Sequence, residues 1–530
     1  MLNLMIFWLL GSSIAVAAID EKLHVIQKEC SFTRYPSLCV QTLMEFKNNH
    51  LHIVSALVNK TILETQLHNS YFKSLITAQF EIQEAQHLQS ITDYCDELMK
   101  MSLKLLDKSL MALNHQSRRI NKNDIQTWLS AVVTYQQACK ESVNTSGQPA
   151  GDFASQISRK MDYLSELVSN PLSLVNRISD GDENKKIKYN TKYRHLNEEL
   201  EDFPKWVSAK DRKLLQSSTI KANAVVAKDG TGNYRTVSEA IKAASGGRFV
   251  IYVKAGVYTE KIRSGKDGIT LIGEGKYSTV IVGGDSVRGG SSMPDSATFT
   301  ITGNGFIAKD IGFQNTAGPQ GGQALALYIA SDRSVLYKCS ISGHQDTLYA
   351  LSQRQFYREC DISGTVDFIF GNAAAVFQNC NLLLHRPYNN GAYNVILANG
   401  RTDPGQNTGF SVQNCRITAS FDFSPVKRSY NSYLGRPWKQ YSRSVIMESY
   451  IDDAVSSSGW IAWPGATSYD KTLYFAEYAN TGPGGGTSGR VNWEGHHVIG
   501  ADVAVEFTVG RFISGTSWLP STGVTFVSGL

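Results

Sequence analysis

Eleven residues of this chain, Arg333–Gly343, are matched without a gap by Arg354–Gly364, 21 positions further on. The two copies share Arg333 and Arg354, Cys339 and Cys360, Ile341 and Ile362, Ser342 and Ser363, and Gly343 and Gly364. Cys380 follows Cys360 after 20 residues, inside Val376-Phe377-Gln378-Asn379-Cys380-Asn381-Leu382, and Cys415 follows after 35 more, inside Val412-Gln413-Asn414-Cys415. Short β-rich runs punctuated by Gly, Asn and Ser at a period near 20 residues predict an all-β parallel β-helix, each repeat forming one rung. A β-sandwich would carry hairpin signals instead, and its strands would rarely hold one register through successive copies.

Register turns spacing into contact. Rungs stack at strand spacing, about 4.8 Å, so equivalent residues lie one above another. By that argument Cys339 and Cys360 come within disulfide range, and Cys380 with Cys415 is the natural second pair. The same 21-residue offset stacks Asp346 of Gly343-His344-Gln345-Asp346 on Asp367 of Gly364-Thr365-Val366-Asp367. Two adjacent carboxyls do not both ionise cheaply, so one pKa rises while the other stays low. That prepares a protonated acid beside an ionised nucleophile. A structural Asp ladder or a calcium site fits the same spacing, but the apolar neighbours Val366 and Phe368-Ile369-Phe370 suit a shifted pKa better than a hydrated cation.

The front of the chain follows another rule. Residues 1–216 hold 4 of the 44 glycines, so uninterrupted helices fit there and nowhere later. Between about Leu38 and Ser169 the apolar residues fall at helical steps, as in Leu98, Met101, Leu105, Leu106, Leu110 and Leu113. Asp124 is placed to cap the helix carrying Trp128, Leu129, Val132 and Val133. Cys30 with Cys39 can clamp an entry hairpin, and Cys95 with Cys139 can tie two helices. An even total of 8 cysteines with no zinc-like spacing fits disulfides in a secreted protein.

Met1–Ala18 reads as a cleaved signal peptide, ending in the small residues Ala15-Val16-Ala17-Ala18; its apolar run is shorter than the roughly 20 residues a membrane span needs. No stable membrane anchor is expected. Asn59-Lys60-Thr61 and Asn144-Thr145-Ser146 are candidate glycosylation sites, at Asn59 and Asn144. A net charge of +5 is too small and dispersed to indicate nucleic acid, though it suits an acidic polysaccharide. Residues 179–216 form a polar linker ending Asp211-Arg212-Lys213-Leu214-Leu215-Gln216, where an exposed basic pair suits proteolysis near Ser217.

Two family resemblances attach to particular residues. Cys30-x-x-Thr33-x-Tyr35-Pro36-x-x-Cys39, Tyr94-Cys95-x-Glu97-Leu98 and Thr127-Trp128-Leu129-Ser130-Ala131-x-x-Thr134 resemble the plant invertase and pectin methylesterase inhibitor family. That resemblance implies an up-down four-helix bundle over 19–178 that binds a protein partner. The second half, 217–530, resembles the pectin methylesterases through five motifs in order. They are Gly256-Val257-Tyr258-Thr259-Glu260, Gln323-Ala324-Leu325-Ala326-Leu327, Gln345-Asp346-Thr347-Leu348-Tyr349, Gly364-Thr365-Val366-Asp367-Phe368-Ile369-Phe370-Gly371 and Leu434-Gly435-Arg436-Pro437-Trp438.

This second resemblance implies a right-handed β-helix that hydrolyses the methyl esters of homogalacturonan, with no cofactor and no metal. It implies Asp367 as nucleophile, Asp346 as general acid and then base, and Gln345 and Gln323 as oxyanion donors. Arg436 would hold Asp367 ionised, and Trp438 would pack on a sugar ring. Pectin is the implied partner, with a proteinaceous pectinesterase inhibitor and a subtilisin-like processing protease beside it, in the plant cell wall. Four places depart from the family pattern: Met293 for a substrate-contacting Thr, Tyr328 for a common Arg, His344 for a common aromatic, and Leu397-Ala398-Asn399-Gly400 for Thr-Ala-Gln-Gly. The alternative reading is an inhibitor-like binding protein whose β-helix is catalytically silent. A third, a polygalacturonase or pectate lyase, lacks its motifs here.

Overall fold

The computed structural model describes residues 23–45, 53–76, 82–114, 122–144, 151–178, 221–389, 391–466 and 468–530. The expected signal peptide and the linker with its processing site lie outside them. The chain divides into two compact units, residues 1–185 and 186–530.

The first unit is helical. Helix α1 covers 23–30, followed by α2 (Pro36–Glu45), α3 (Ile53–Ile76), α4 (Ile82–Asn114), α5 (Lys122–Asn144) and α6 (Gly151–Val175). α3 packs on α4, α4 on α5, α5 on α6, and α6 back on α3, which closes a four-helix bundle. On α4 the buried line runs Leu98, Met99, Ser102, Leu105, Leu106 and Ser109. Met101, Leu110 and Leu113 of the expected stripe sit half-buried at its side. Disulfides join Cys30 to Cys39 across the α1–α2 turn and Cys95 to Cys139 between α4 and α5, with Cα–Cα distances of 5.6 and 4.8 Å. Asp124 is not the cap expected of it. α5 begins two residues earlier at Lys122, so Asp124 lies in the first turn, where its charge meets the positive end of the helix dipole. Asn59 lies half-buried on α3, and Asn144 closes α5.

The second unit is a right-handed parallel β-helix whose strands form three all-parallel sheets of 11, 7 and 8 strands. Each turn of chain gives one strand to each sheet in rotation, so a strand's neighbour in its own sheet comes from the turn before or after. The 21-residue offset read from the sequence is the strand register itself: Ser342 pairs with Ser363, and Leu348 with Ile369. Inward side chains such as Phe299, Leu327, Leu348, Ile369 and Leu397 fill one continuous core. A short helix, α7 (Val237–Ala243), packs beside the first strands and is fixed by a capping box between Thr236 and Glu239. The C-terminal segment packs Val509, Ile513, Trp518 and Leu519 over Val335, Phe356 and Val376 on the outer face of the 11-stranded sheet.

One expectation fails here. Cys339, Cys360, Cys380 and Cys415 are free thiols, all buried in the core. The register argument put them in one stack correctly but paired them wrongly. Each follows a residue with left-handed backbone, Lys338, Glu359, Asn379 and Asn414, which turns the chain between the 11- and 8-stranded sheets and aims the next side chain inward. Four parallel side chains on consecutive rungs keep the strand spacing of about 4.8 Å, whereas a disulfide draws its Cβ atoms to roughly 3.5–4.5 Å along converging vectors. The sulfurs instead meet backbone groups, as where the Cys380 N–H donates to Cys415 Sγ at 3.3 Å. Burial pushes the Cys339, Cys360 and Cys380 thiols well above their ordinary range, which makes them poor nucleophiles.

Candidate active site

The site lies where the chain turns from the 8-stranded into the 7-stranded sheet. On one rung the turn after Ser340–Ser342 carries Gln345 and Asp346. On the next, the turn after Asp361–Gly364 carries Asp367. Both aspartates have left-handed backbone, φ 60° and 50°. A non-glycine residue held there costs of order 1–3 kcal/mol and persists only where the surroundings fix it, which is common at functional sites. Stacking supplies that fixation. Asp346 N–H donates to Val366 O at 3.0 Å and Leu348 N–H to Phe368 O at 2.9 Å. Gly364 is obligatory between them, because an added Cβ would lie 2.5 Å from His344 O.

Both carboxylates are buried, with 8% and 5% of their surface exposed, yet their electrostatics diverge. Arg436 Nε donates to Asp367 Oδ1 at 2.8 Å and Nη2 to Oδ2 at 2.5 Å, a bidentate pair. Its Nη1 donates to the Tyr393 hydroxyl at 3.1 Å, and the guanidinium lies 4.3 Å from the Trp463 ring centroid. No described residue donates to the Asp346 carboxyl. Burial and the neighbouring Asp367 push Asp346 well above the usual carboxylate range. Burial raises Asp367 too, but Arg436 restrains the rise. Of the two, Asp346 is the more strongly disposed to keep a proton and Asp367 to carry the charge.

The other expected residues converge on the same edge. Gln323 and Gln345 pair through their backbones on neighbouring rungs, and both are half-buried. Outward side chains of the 7-stranded sheet form a floor in which Tyr328 meets Tyr349 at 5.0 Å and Tyr349 stacks on Phe370 at 4.3 Å between centroids. Trp438 stands edge-on to Phe370 at 5.8 Å. It rests on Gly400, where an added Cβ would come within 2.7 Å of its ring. The divergent Asn399 is structural: its Oδ1 accepts from the backbone N–H of Arg401 and Arg443 at 3.3 and 2.8 Å. Tyr328, where the family often has Arg, is buried and lengthens the aromatic floor. Met293, half-buried, precedes the 3₁₀ turn Pro294–Ser296. Sequence reasoning missed Tyr393, which opens a strand of the 7-stranded sheet, and Trp463, which lies between the strands Tyr450–Ile451 and Tyr474–Tyr478. No register signal points to them.

Comparison with known proteins gives this geometry a family. The Pectinesterase family model matches residues 223–516, and the Plant invertase/pectin methylesterase inhibitor model matches 24–174. A probable pectinesterase/pectinesterase inhibitor of Arabidopsis thaliana is 48% identical over 526 residues, 96% of this chain and 95% of its own. Pectinesterase 2 of Citrus sinensis is 46% identical over 82% of this chain and 81% of its own. Among solved structures, a pectin methylesterase from carrot superposes with a TM-score of 0.58 at 50% identity, covering 59% of this chain and all, 100%, of that one. These matches cover both units of the fold and the rungs that carry Asp346 and Asp367. The chain belongs to the pectinesterase family and carries an inhibitor-like helical domain in front of its β-helix.

Proposed function

We propose that the β-helix hydrolyses the methyl esters of homogalacturonan through an aspartyl acyl-enzyme, giving demethylated pectin and methanol. The observation that carries this reading is the asymmetry of the stacked pair: Arg436 grips Asp367 in bidentate fashion, and Asp346 has no cation of its own. Ionised and oriented, Asp367 attacks the ester carbonyl carbon. The carbonyl oxygen gains charge as the tetrahedral intermediate forms, and the side-chain amides of Gln345 and Gln323 donate to it. As the C–O bond to the methoxy group breaks, Asp346 gives its proton to the departing methanol and becomes a carboxylate. It then takes a proton from water, whose oxygen attacks the acyl carbon and frees Asp367. The uronate leaves ionised and one proton is released per cycle. Trp438 packs against a sugar ring beside this centre.

The rest of the chain fits a secreted, cell-wall enzyme. Residues 1–18 serve as signal peptide, 19–178 as inhibitor-like pro-region and 179–216 as linker, cut near Ser217 by a subtilisin-like protease to free the catalytic domain, 217–530. Methanol release from highly methylated pectin by the secreted protein tests the reading. Absence of methanol with intact circular dichroism would favour the silent-scaffold alternative, and falling viscosity on demethylated pectin would favour a chain-cleaving enzyme.

A further inference from the structure

His344 stands immediately before Gln345 and Asp346, and the reaction just described does not use it. Its backbone is fixed: the carbonyl accepts from Thr365 N–H at 2.9 Å and from Thr347 Oγ1 at 3.1 Å. Its ring reaches along the helix axis to His385, with centroids 5.5 Å apart and planes at 37°. These two residues sit two rungs apart, a span of roughly 10 Å at ordinary strand spacing. On the rung between them the register places Gly364 and Thr365. Beyond His385, whose Nδ1 lies 3.9 Å from Asp422 Oδ1, the edge continues to Phe421, a phenyl ring with 98% of its surface exposed.

The two nitrogens of His344 differ. Nδ1 is sealed from solvent and has no hydrogen-bond partner. A buried N–H without an acceptor costs more than a buried lone pair able to stay bare, since the donor loses its full hydration. The proton of the neutral ring therefore belongs on Nε2, which is not sealed. Burial and the neighbouring His385 push the imidazole down to about 4, so the ring is neutral across the working range of a carboxyl esterase. Asp422, beyond His385, opposes this and does not reverse it. The result is an uncharged N–H donor, held in one tautomer and one orientation, a single residue from the oxyanion-binding Gln345.

We propose that His344 is a specificity-determining residue whose Nε2–H donates to a carboxyl oxygen of the galacturonate unit next to the one being hydrolysed. This rests on the functional reading above. A neutral N–H can donate to an ester carbonyl as well as to a free carboxylate, where the charge of an Arg or Lys would favour the carboxylate far more strongly. Affinity at this subsite then persists as the reaction turns neighbouring esters into acids. A phenylalanine at this position would stack but donate nothing.

The test is steady-state kinetics on pectins of high and low methylation with His344→Phe and His344→Gln. Loss of one neutral hydrogen bond corresponds to a roughly 2- to 10-fold change. His344→Phe should raise KM by that factor on both pectins, with kcat within about twofold, and the ratio to wild type should stay flat between pH 5 and 8. His344→Gln, which restores a donor, should recover part of the loss. An unmoved KM in both variants overturns the proposal. So does failure of Gln to recover any of the loss, or a ratio that grows as the pH falls from 7 to 5, which would mark a charged imidazole. If His344→Phe does not fold, the KM of His344→Arg decides: it should fall only on the pectin of low methylation, and a parallel fall on both overturns the neutral-donor assignment. A wild-type enzyme that releases no methanol from either pectin would overturn the functional reading itself.

Discussion

Each unit of this chain holds four cysteines, and the two units use them in opposite ways. In the bundle, helices approach from different directions, so side chains converge and Cys95 closes on Cys139. In the β-helix, every rung approaches its neighbour in the same direction. Cys339, Cys360, Cys380 and Cys415 lie one above another and remain thiols. Stacking brings equivalent residues close without turning them toward each other. For cysteine that leaves the bond unmade. For aspartate it is what chemistry needs, because Asp346 and Asp367 then share one desolvated place, where Arg436 restrains the rise of Asp367 alone by direct hydrogen bonds.

The largest effect that would sharpen this contrast is on Asp346. Asp346→Asn keeps the stack and removes the proton, so kcat should fall by about 10²–10⁴-fold while pectin binding survives. Its stability should move the other way. A carboxyl whose folded pKa lies above its unfolded value of about 3.9 favours the folded state fully below that pH and loses this contribution as pH rises through the folded value. The Asn variant escapes that loss. Its melting temperature should exceed wild type by roughly 2–4 °C at pH 7 and match it near pH 3. Equal melting temperatures at pH 7 would mean that Asp346 is not strained by its neighbour.

Smaller effects separate the two sets of cysteines. Cys95→Ala opens a disulfide that spans 44 residues and should destabilise the bundle by about 4 kcal/mol. Cys360→Ala removes only one buried sulfur and should cost the β-helix about 1–2 kcal/mol. Thiol titration of the protein unfolded without reductant should find the four free cysteines of the β-helix. Finding none would restore the pairings Cys339–Cys360 and Cys380–Cys415 and refute the geometric reason given for their absence.

The sequence carried the fold wherever a period carried it. Register was readable from Cys339 and Cys360, and with it the stacking of Asp346 on Asp367, because both depend on counting residues along rungs. Direction was not readable. Of the left-handed residues that aim the cysteines, Asn379 and Asn414 are of a type that tolerates this backbone, but Lys338 and Glu359 are not, so no single letter marks the turn. Counting does not find Tyr393 and Trp463 beside Arg436, whereas His344, Thr365 and His385 follow the same 21- and 20-residue offsets as Cys339, Cys360 and Cys380. Asp124 missed its expected place by two residues, because α5 starts at Lys122, directly after Asn121, itself a residue type favoured as a cap.

In the proposed mechanism, stacking on Asp346, with Arg436 behind it, makes Asp367 a nucleophile. Methanol release by Asp367→Asn, measured on protein whose circular dichroism matches wild type, tests it most directly. A neutral amide cannot form the acyl-enzyme, so the account predicts no turnover above background at any pH. Wild-type turnover by the folded variant would contradict it and reduce the stacked carboxylates to a structural ladder.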